Sequence, residues 1–371
     1  MKSKKTENYF FEIVKGQRKG FVAAIFRFML LIFSWIFQCF AWCRNWVFDH
    51  GWLRRYCPPV PLVISIGNIV VGGTGKTPMT LLLAKEFYGS FQLAILTRGY
   101  RSKAEKLSQP TCLCLNKGPL YPASYCGDEP FLLAQNLPDA LIYVGRNRHK
   151  SSIMAVKAGA KMILLDDGMQ HRRLSRDLDV VVMDVHDPYG LGYFLPRGFL
   201  REGAESLSRA HMIVLNHVES TEQFEAAKAL VRKHSVAPVV GARANVTKIF
   251  DFKGEKIESL VNKKVGIFCG IAHPEYFKKT VEGQGAIVLA QHNVSDHCDF
   301  DLIELEKFSK HCLELEVDLL LCTEKDRVRF TDGLTLTLPV AWLQIELSIV
   351  ENLETWKAFI IKAKSDVMRR M

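Results

Sequence analysis

The segment Val71-Gly72-Gly73-Thr74-Gly75-Lys76-Thr77 follows the apolar run Pro61 to Ile66 and precedes a helical run, Leu81 to Phe87. A glycine-rich turn between a buried strand and a helix is built to hold phosphate. Its glycines let backbone N–H groups point inward, Lys76 adds a point charge, and the Thr77 hydroxyl can join the shell of a Mg²⁺ ion. Gly72, Gly73, Thr74, Gly75, Lys76 and Thr77 are therefore the expected nucleotide-binding residues, with a nucleoside triphosphate as ligand. A strict phosphate loop has glycine five residues before Gly75, where this chain has Val70; the Gly-x-Gly-Lys-Thr part that carries the mechanism is intact.

With 371 residues, 48% hydrophobic and 24% charged, the chain can bury a large core and form two domains. The balance of 49 basic against 39 acidic residues, a net charge of +10, suits an anionic partner such as nucleic acid, phospholipid headgroups or a phosphorylated substrate. Charge alone does not choose among them. The ten cysteines include no Cys-x-x-Cys pair, and Cys269 and Cys322 sit in apolar runs, so reduced, buried thiols are expected rather than zinc or a disulfide framework.

After a basic leader with Lys2, Lys4, Lys5, Lys15, Arg18 and Lys19, the run Phe21 to Trp42 is apolar apart from Arg27, Ser34 and Gln38. It is long enough to cross a bilayer. A cleaved signal peptide fits badly, because no small-residue cleavage site follows and export would part the phosphate loop from ATP. A single span would leave the basic leader on the far side, against the positive-inside tendency. Arg27, Ser34, Gln38 and Asn45 are spaced 7, 4 and 7, which at about 100° per residue gathers them in a narrow stripe. That stripe favours a helix lying in one leaflet or docked along the protein body, with Trp35, Trp42, Trp46 and Trp52 near the interface.

From Pro61 the pattern is strand, turn, helix, repeated. Apolar runs at Leu62 to Ile66, Leu93 to Thr97, Leu141 to Val144, Met162 to Leu165, Val180 to Val185 and Met212 to Asn216 alternate with helical segments such as Pro130 to Asn136 and Lys150 to Ala158. Short unbroken apolar strands separated by helices make a doubly wound α/β domain with a parallel sheet, its ligands at the carboxyl ends of the strands. The pattern restarts after Pro238, with strands at Lys264 to Cys269, Ala286 to Leu289 and Asp318 to Cys322, and a helix from Asp301 to Leu315 capped by Asp299 or Asp301. The expected divisions are 1–56, a leader and membrane-associated helix; 57–238, the phosphate-loop core; 239–345, a smaller α/β domain; and 346–371, a final helix.

Ile163-Leu164-Leu165-Asp166-Asp167 is a buried strand ending in two carboxylates, where a nucleotide-binding sheet places its Mg²⁺ ligand. Neighbours on a strand face opposite ways, so one carboxylate is expected to meet the metal while the other fixes the turn. Gly127-Asp128-Glu129-Pro130 opens a helix, and a carboxylate there is commonly only an N-cap. Further strings stand in order: Gly67-Asn68 before the phosphate loop, Arg98-Gly99-Tyr100, Asp166-Asp167-Gly168-Met169-Gln170-His171-Arg172, Pro196-Arg197-Gly198-x-Leu200-Arg201-Glu202, Gly270-Ile271-Ala272-His273-Pro274 and Thr323-Glu324-Lys325-Asp326. Together they make the chain resemble, over nearly its whole length, the tetraacyldisaccharide 4'-kinases, the lipid A 4'-kinases of Gram-negative bacteria.

The resemblance implies a kinase at the cytoplasmic face of the bacterial inner membrane. It would move the γ-phosphate of ATP, with Mg²⁺, onto the 4'-hydroxyl of a membrane-embedded tetraacylated glucosamine disaccharide 1-phosphate, with neither nucleic acid nor an obligate protein partner. Carried over by motif, Lys76 and Thr77 hold phosphate and metal, Asp166 and Asp167 form the metal-binding strand end, and Glu202 and His171 support it. Asp128 takes the place of the catalytic base and His273 that of its partner. Met169 replaces a residue often aromatic in the family, and Cys298 follows His297 where a second histidine is expected, which leaves His297 without an assigned role. The alternative is a membrane-attached phosphate-loop ATPase switch; its signature lysine is absent, since Val71 stands there. A GTPase fits less well, because Thr323-Glu324-Lys325-Asp326 is one residue out of register with the guanine-reading pattern.

Overall fold

A computed structural model describes residue 9 and residues 12–295, 300–330 and 333–371. Lys2, Lys4, Lys5, His297, Cys298 and Asp299 lie outside the described residues. The strands are β1 (Leu62–Gly67), β2 (Leu93–Thr97), β3 (Thr111–Leu115), β4 (Leu141–Val144), β5 (Met162–Asp166), β6 (Leu178–Asp184), β7 (Met212–Asn216), β8 (Val239–Asp251), β9 (Lys264–Cys269), β10 (Ile287–Asn293), β11 (Leu319–Thr323) and β12 (Val340–Glu351). They form one sheet in the order β10-β9-β11-β12-β8-β7-β6-β1-β5-β2-β4-β3.

Around β1 the ladders are parallel, with β5 on one side and β6 on the other. Every residue of β1, β2, β4, β5 and β7 is buried, the mark of a sheet covered on both faces. Two departures from an all-parallel sheet occur. β3 closes one edge antiparallel to β4, and the long strands β8 and β12 run antiparallel to each other. Through that pair the second lobe continues the first lobe's sheet rather than building a separate one, and β12 runs past the expected boundary at residue 345.

The main helices are α1 (Phe21–Asp49), α2 (Lys76–Phe87), α3 (Asp128–Asn136), α4 (Arg148–Lys157), α5 (Thr221–Val231), α6 (Pro274–Glu282), α7 (Leu302–Glu314) and α8 (Leu353–Arg370). Asp301 is the N-cap of α7, its side chain accepting from the Ile303 N–H at 2.9 Å. The final helix, α8, belongs to the first lobe. Its Trp356, Ile360, Ala363 and Val367 lie one turn apart and share a core with Leu62, Ile64 and Phe87. Burying each large apolar side chain contributes roughly 1.5–3 kcal/mol, enough to fix α8 in place. The described cysteines are free, and Cys114, Cys126, Cys269, Cys312 and Cys322 are buried, in keeping with the expected reduced thiols.

α1 docks by a narrow face. Ala23, Leu30, Ser34, Ala41 and Phe48 are buried, the Ser34 hydroxyl donates to the Phe194 carbonyl at 2.8 Å, and Asn45 and Arg44 reach Glu202. Ser34 and Asn45 of the polar stripe thus point at the protein body, whereas Arg27 donates to the Arg18 carbonyl at 2.9 Å and Gln38 is exposed. On the other side Phe21, Ile25, Phe28, Met29, Ile32, Phe33, Trp35, Ile36, Phe40 and Trp42 are exposed, and the helix is long and apolar enough to cross a membrane.

Candidate active site

β1 delivers the chain into the phosphate loop. Gly72 and Gly75 have φ of +122° and +89°, values that strain any residue with a side chain, and a Cβ on Gly75 would stand 2.2 Å from the Asn216 side chain. The loop is clamped from two sides: Asn68 donates to the Thr74 hydroxyl at 3.0 Å, and Asn216, the last residue of β7, donates to the Thr74 carbonyl at 3.0 Å. α2 begins at Lys76, so its free N–H groups and positive dipole end face the loop. The substitution of glycine by Val70 is accommodated in the core, where Val70 is buried beside Leu200 and forms a bridge with it.

The loop forms one wall of a cavity of about 1480 Å³ lined also by Arg98, Arg148, Asp166, Asp167, Arg201, His217, His273, Tyr276 and Lys325. Asp166 and Asp167 part ways as expected, though not by strand alternation. β5 stops at Asp166, and Asp167 has φ +50°, a left-handed turn residue whose side chain is free to meet Lys76 at 3.6 Å and Arg201 at 3.1 Å. Burial would raise its pKa, but Lys76 and Arg201 outweigh that and hold it down at about 2. Asp166 looks back into the protein, accepting from the Thr80 and Thr97 hydroxyls at 3.0 Å each. Burial, with Glu129 and Asp167 nearby, pushes it up to about 6.

Two of the expected metal supports do not fit. Glu202 is fully buried, and its carboxylate accepts from Arg44 at 2.8 Å, Asn45 at 3.1 Å and Arg209; it clamps α1 to the body and does not line the cavity. His171 lines the cavity, but it lies among cations. Burial, then Arg148, Arg176 and Arg173, press its pKa down to about 4, and its buried Nε2 has no partner. A neutral nitrogen among arginines is a poor ligand for a hard, oxygen-seeking Mg²⁺. Among the described residues no group of three or more His, Cys, Asp or Glu side chains is arranged to hold a metal.

Asp128 is the first residue of α3, and Gly127, at φ +97°, takes the cap position, so the carboxylate makes no capping bond. It accepts instead from Arg329 Nε at 2.8 Å, and Arg329 also lies 3.6 Å from the fully buried Asp326. His273 precedes Pro274 at the start of α6, with Nδ1 3.0 Å from Glu275 and its ring edge beside Gly73. The expected Asp128–His273 partnership is therefore not formed in this structure: each has another partner, and the histidine faces the phosphate loop.

Residue patterns missed two clusters. Asp184, at the end of β6, accepts from Tyr276 Oη at 3.1 Å and lies 3.1 Å from Nδ1 of both His186 and His217, with the Tyr276 ring 4.1 Å from that of His217. Burial would raise Asp184, but the hydrogen bonds from His217, the His186 N–H and Tyr276 hold it well below the ordinary carboxylate range. An acidic residue closing an apolar strand was the available signal, the same one that drew attention to Asp166. The second cluster joins the lobes beside α3: Lys325 pairs with Glu129 at 3.0 Å, next to the Arg329–Asp128 pair.

A family model described as tetraacyldisaccharide-1-P 4'-kinase matches residues 26–363. A tetraacyldisaccharide 4'-kinase of Anaeromyxobacter dehalogenans is 37% identical over 328 residues, 86% of this chain and 85% of that one. One from Chlamydia pneumoniae is 34% identical over 298 residues, covering 78% and 79%. LpxK from Aquifex aeolicus, crystallised in complex with ATP, superposes with a TM-score of 0.72 at 28% identity, over 91% of this chain and 99% of that chain. With the phosphate loop, the strand-end carboxylates and the two-lobed sheet already in place, these likenesses decide the matter, and the chain belongs to the tetraacyldisaccharide 4'-kinase family.

Proposed function

We infer that this protein transfers the γ-phosphate of ATP to the 4'-hydroxyl of a tetraacylated glucosamine disaccharide 1-phosphate, working at the cytoplasmic face of a bacterial inner membrane. The observation that carries the reading is the meeting of Lys76, Thr77 and Asp167 in one cavity walled on its far side by the second lobe's His273 and Tyr276. Phosphoryl transfer through a loose transition state needs in-line placement and charge neutralisation more than covalent help. The phosphate-loop amides and Lys76 supply the charge, and Arg201 keeps Asp167 ionised and aimed.

Thr77 and Asp167, with Asp166 behind them, would hold Mg²⁺, which supplies Lewis-acid neutralisation of the phosphate oxygens. Asp128 accepts the proton of the sugar hydroxyl through Oδ1, while Arg329 on Oδ2 holds the carboxylate in orientation. His273 serves from the second lobe, where it reaches the phosphate loop beside Gly73 and its ring nitrogen away from Glu275 can meet the transferring group.

α1 supports the membrane placement. Ser34 and Asn45 of its stripe are taken up by the protein body, leaving a continuous apolar face that water would penalise and an acyl-chain surface would not. The function is tested by measuring ADP release in detergent with and without the disaccharide acceptor. A kinase needs the acceptor for turnover; an ATPase switch releases ADP and phosphate at the same rate without it.

A further inference from the structure

β9 and β11 run parallel as neighbours, so their carboxyl ends stand together, where a sheet of this kind places its chemistry. β9 leads into Gly270-Ile271-Ala272-His273, and β11 leads into Thr323-Glu324-Lys325-Asp326. His273 and Lys325 line the reaction cavity, whereas Asp326 is fully buried and does not. A carboxylate taken out of water is costly unless its oxygens are committed, and these are. Oδ1 accepts from the Gly270 N–H at 3.0 Å and lies 3.6 Å from Nη1 of Arg329, while Oδ2 accepts from the Thr323 hydroxyl at 2.6 Å.

The two partners on Oδ1 lead to the two groups assigned above to the chemistry. Gly270 stands three residues before His273, and the segment between them is closely held, since a Cβ on Gly73 of the phosphate loop would lie 2.8 Å from that of Ala272. Arg329 leads to Asp128, with its Nε 2.8 Å from Oδ2 and its guanidinium over the Phe300 ring at 5.8 Å. The branches also touch each other. A Cβ on Gly270 would stand 2.7 Å from Arg329 Nη1 and 2.8 Å from Val294, so the segment that carries His273 and the side chain that holds Asp128 pack without room for a methyl group. Asp128 belongs to the first lobe, yet the arginine that orients it belongs to the second.

We propose that Asp326 is a positioning residue that sets His273 and Asp128 relative to each other, through the Gly270 amide on one side and the Arg329 guanidinium on the other. The proposal rests on the kinase reading, in which both groups meet the reacting atoms. A base on one lobe and a histidine on the other must be ordered from a common point to act on the same atoms, and a misplacement of about 1 Å costs about 10²-fold in rate. Neither Asp326 nor Gly270 lines the cavity, so changing them acts on turnover through Asp128 and His273.

The test measures kcat and KM in Asp326→Ala, Asp326→Asn and Gly270→Ala, each alone and in an Asp128→Asn/His273→Ala background, with urea midpoints for every protein. Alone, Asp326→Ala and Gly270→Ala should lower kcat about 10- to 100-fold while the KM for ATP stays within about twofold. Asp326→Asn should recover most of the loss, because its amide oxygen still accepts from the Gly270 N–H. In the background that lacks both groups, the same substitutions should change the residual single-turnover rate by less than about twofold, since nothing is left to position. Gly270→Ala leaves the carboxylate in place and carries the test by itself if Asp326→Ala does not fold. An unchanged kcat in folded Gly270→Ala protein overturns the proposal. So does an equal fold-loss with and without Asp128 and His273, which marks a merely structural role. Failure of wild type to phosphorylate the acceptor would instead defeat the kinase reading, and the proposal with it.

Discussion

Lys76 and Asp167 sit 3.6 Å apart, so each neutralises the other. Lys76→Ala removes a cation whose value is greatest as charge shifts in the transition state, and turnover should fall by roughly 10²- to 10³-fold or more. Near-wild-type turnover in a folded Lys76→Ala protein would contradict the phosphate-loop assignment. Asp128→Asn and Asp167→Asn should separate: the first lowers kcat with ATP binding preserved, the second raises the Mg²⁺ requirement as well. The same rise in both, read from Mg²⁺ titrations of activity, would merge the two roles. Asp184 offers a pH test away from Asp167. Its folded pKa is depressed, so it contributes stability above the unfolded carboxylate value of about 4, and that contribution is lost as pH falls below it. Urea midpoints of wild type should therefore drop more steeply than those of Asp184→Asn between about pH 5 and pH 2. Superimposable acid limbs would contradict the cluster's energetic role.

At the level of elements, α1 carries the sharpest prediction. Met29 and Ile36 lie on the exposed arc opposite the docked face. Replacing both with lysine, or deleting residues 1–48, should release the protein from membranes while leaving ATP binding intact; membrane flotation and nucleotide titration read the two effects separately. Undiminished flotation would return α1 to a packing role. The stripe was legible because polar positions recur at helical spacing, but what it faced was not. Ser34 and Asn45 find their partners at Phe194 and Glu202, far along the chain, and no periodicity names them. The apolar runs of β1, β2, β4, β5 and β7 announced themselves for a simple reason: strands buried on both faces are mostly apolar, with polar residues such as Thr97, Asp166 and Asn216 hydrogen-bonded at the carboxyl ends. β8 did not, and β10 was read only from Ala286 to Leu289, short of its end at Asn293. Beyond Ala242 β8 alternates or is exposed, and β10 alternates throughout as an edge strand, so each mixes with loop composition.

Across the whole molecule, the lobes are joined by a shared sheet and by charged pairs around the cavity mouth. Arg329 is the most consequential of these, since it serves Asp128 and the fully buried Asp326. Removing one partner of a buried ion pair costs about 3–5 kcal/mol, so Arg329→Ala should lower the unfolding free energy by an amount on that scale. A loss under about 1 kcal/mol in urea denaturation would show the pair to be solvated. This bridge also explains where motif reading stopped. The string around Asp128 and the one around Lys325 were visible separately, but that 201 residues of chain bring Arg329 onto Asp128 is a fact of tertiary structure. For the same reason Glu202 read as a metal support and proved to be a clamp. A buried carboxylate looks alike in sequence whether a metal or two arginines will neutralise it.

The account stands or falls on where the phosphate goes. Purified protein given γ-labelled ATP, Mg²⁺ and tetraacyldisaccharide 1-phosphate in detergent should place label on the 4'-oxygen of the lipid, and the Lys76→Ala protein should not. Label recovered only as inorganic phosphate, at a rate indifferent to the acceptor, would contradict it.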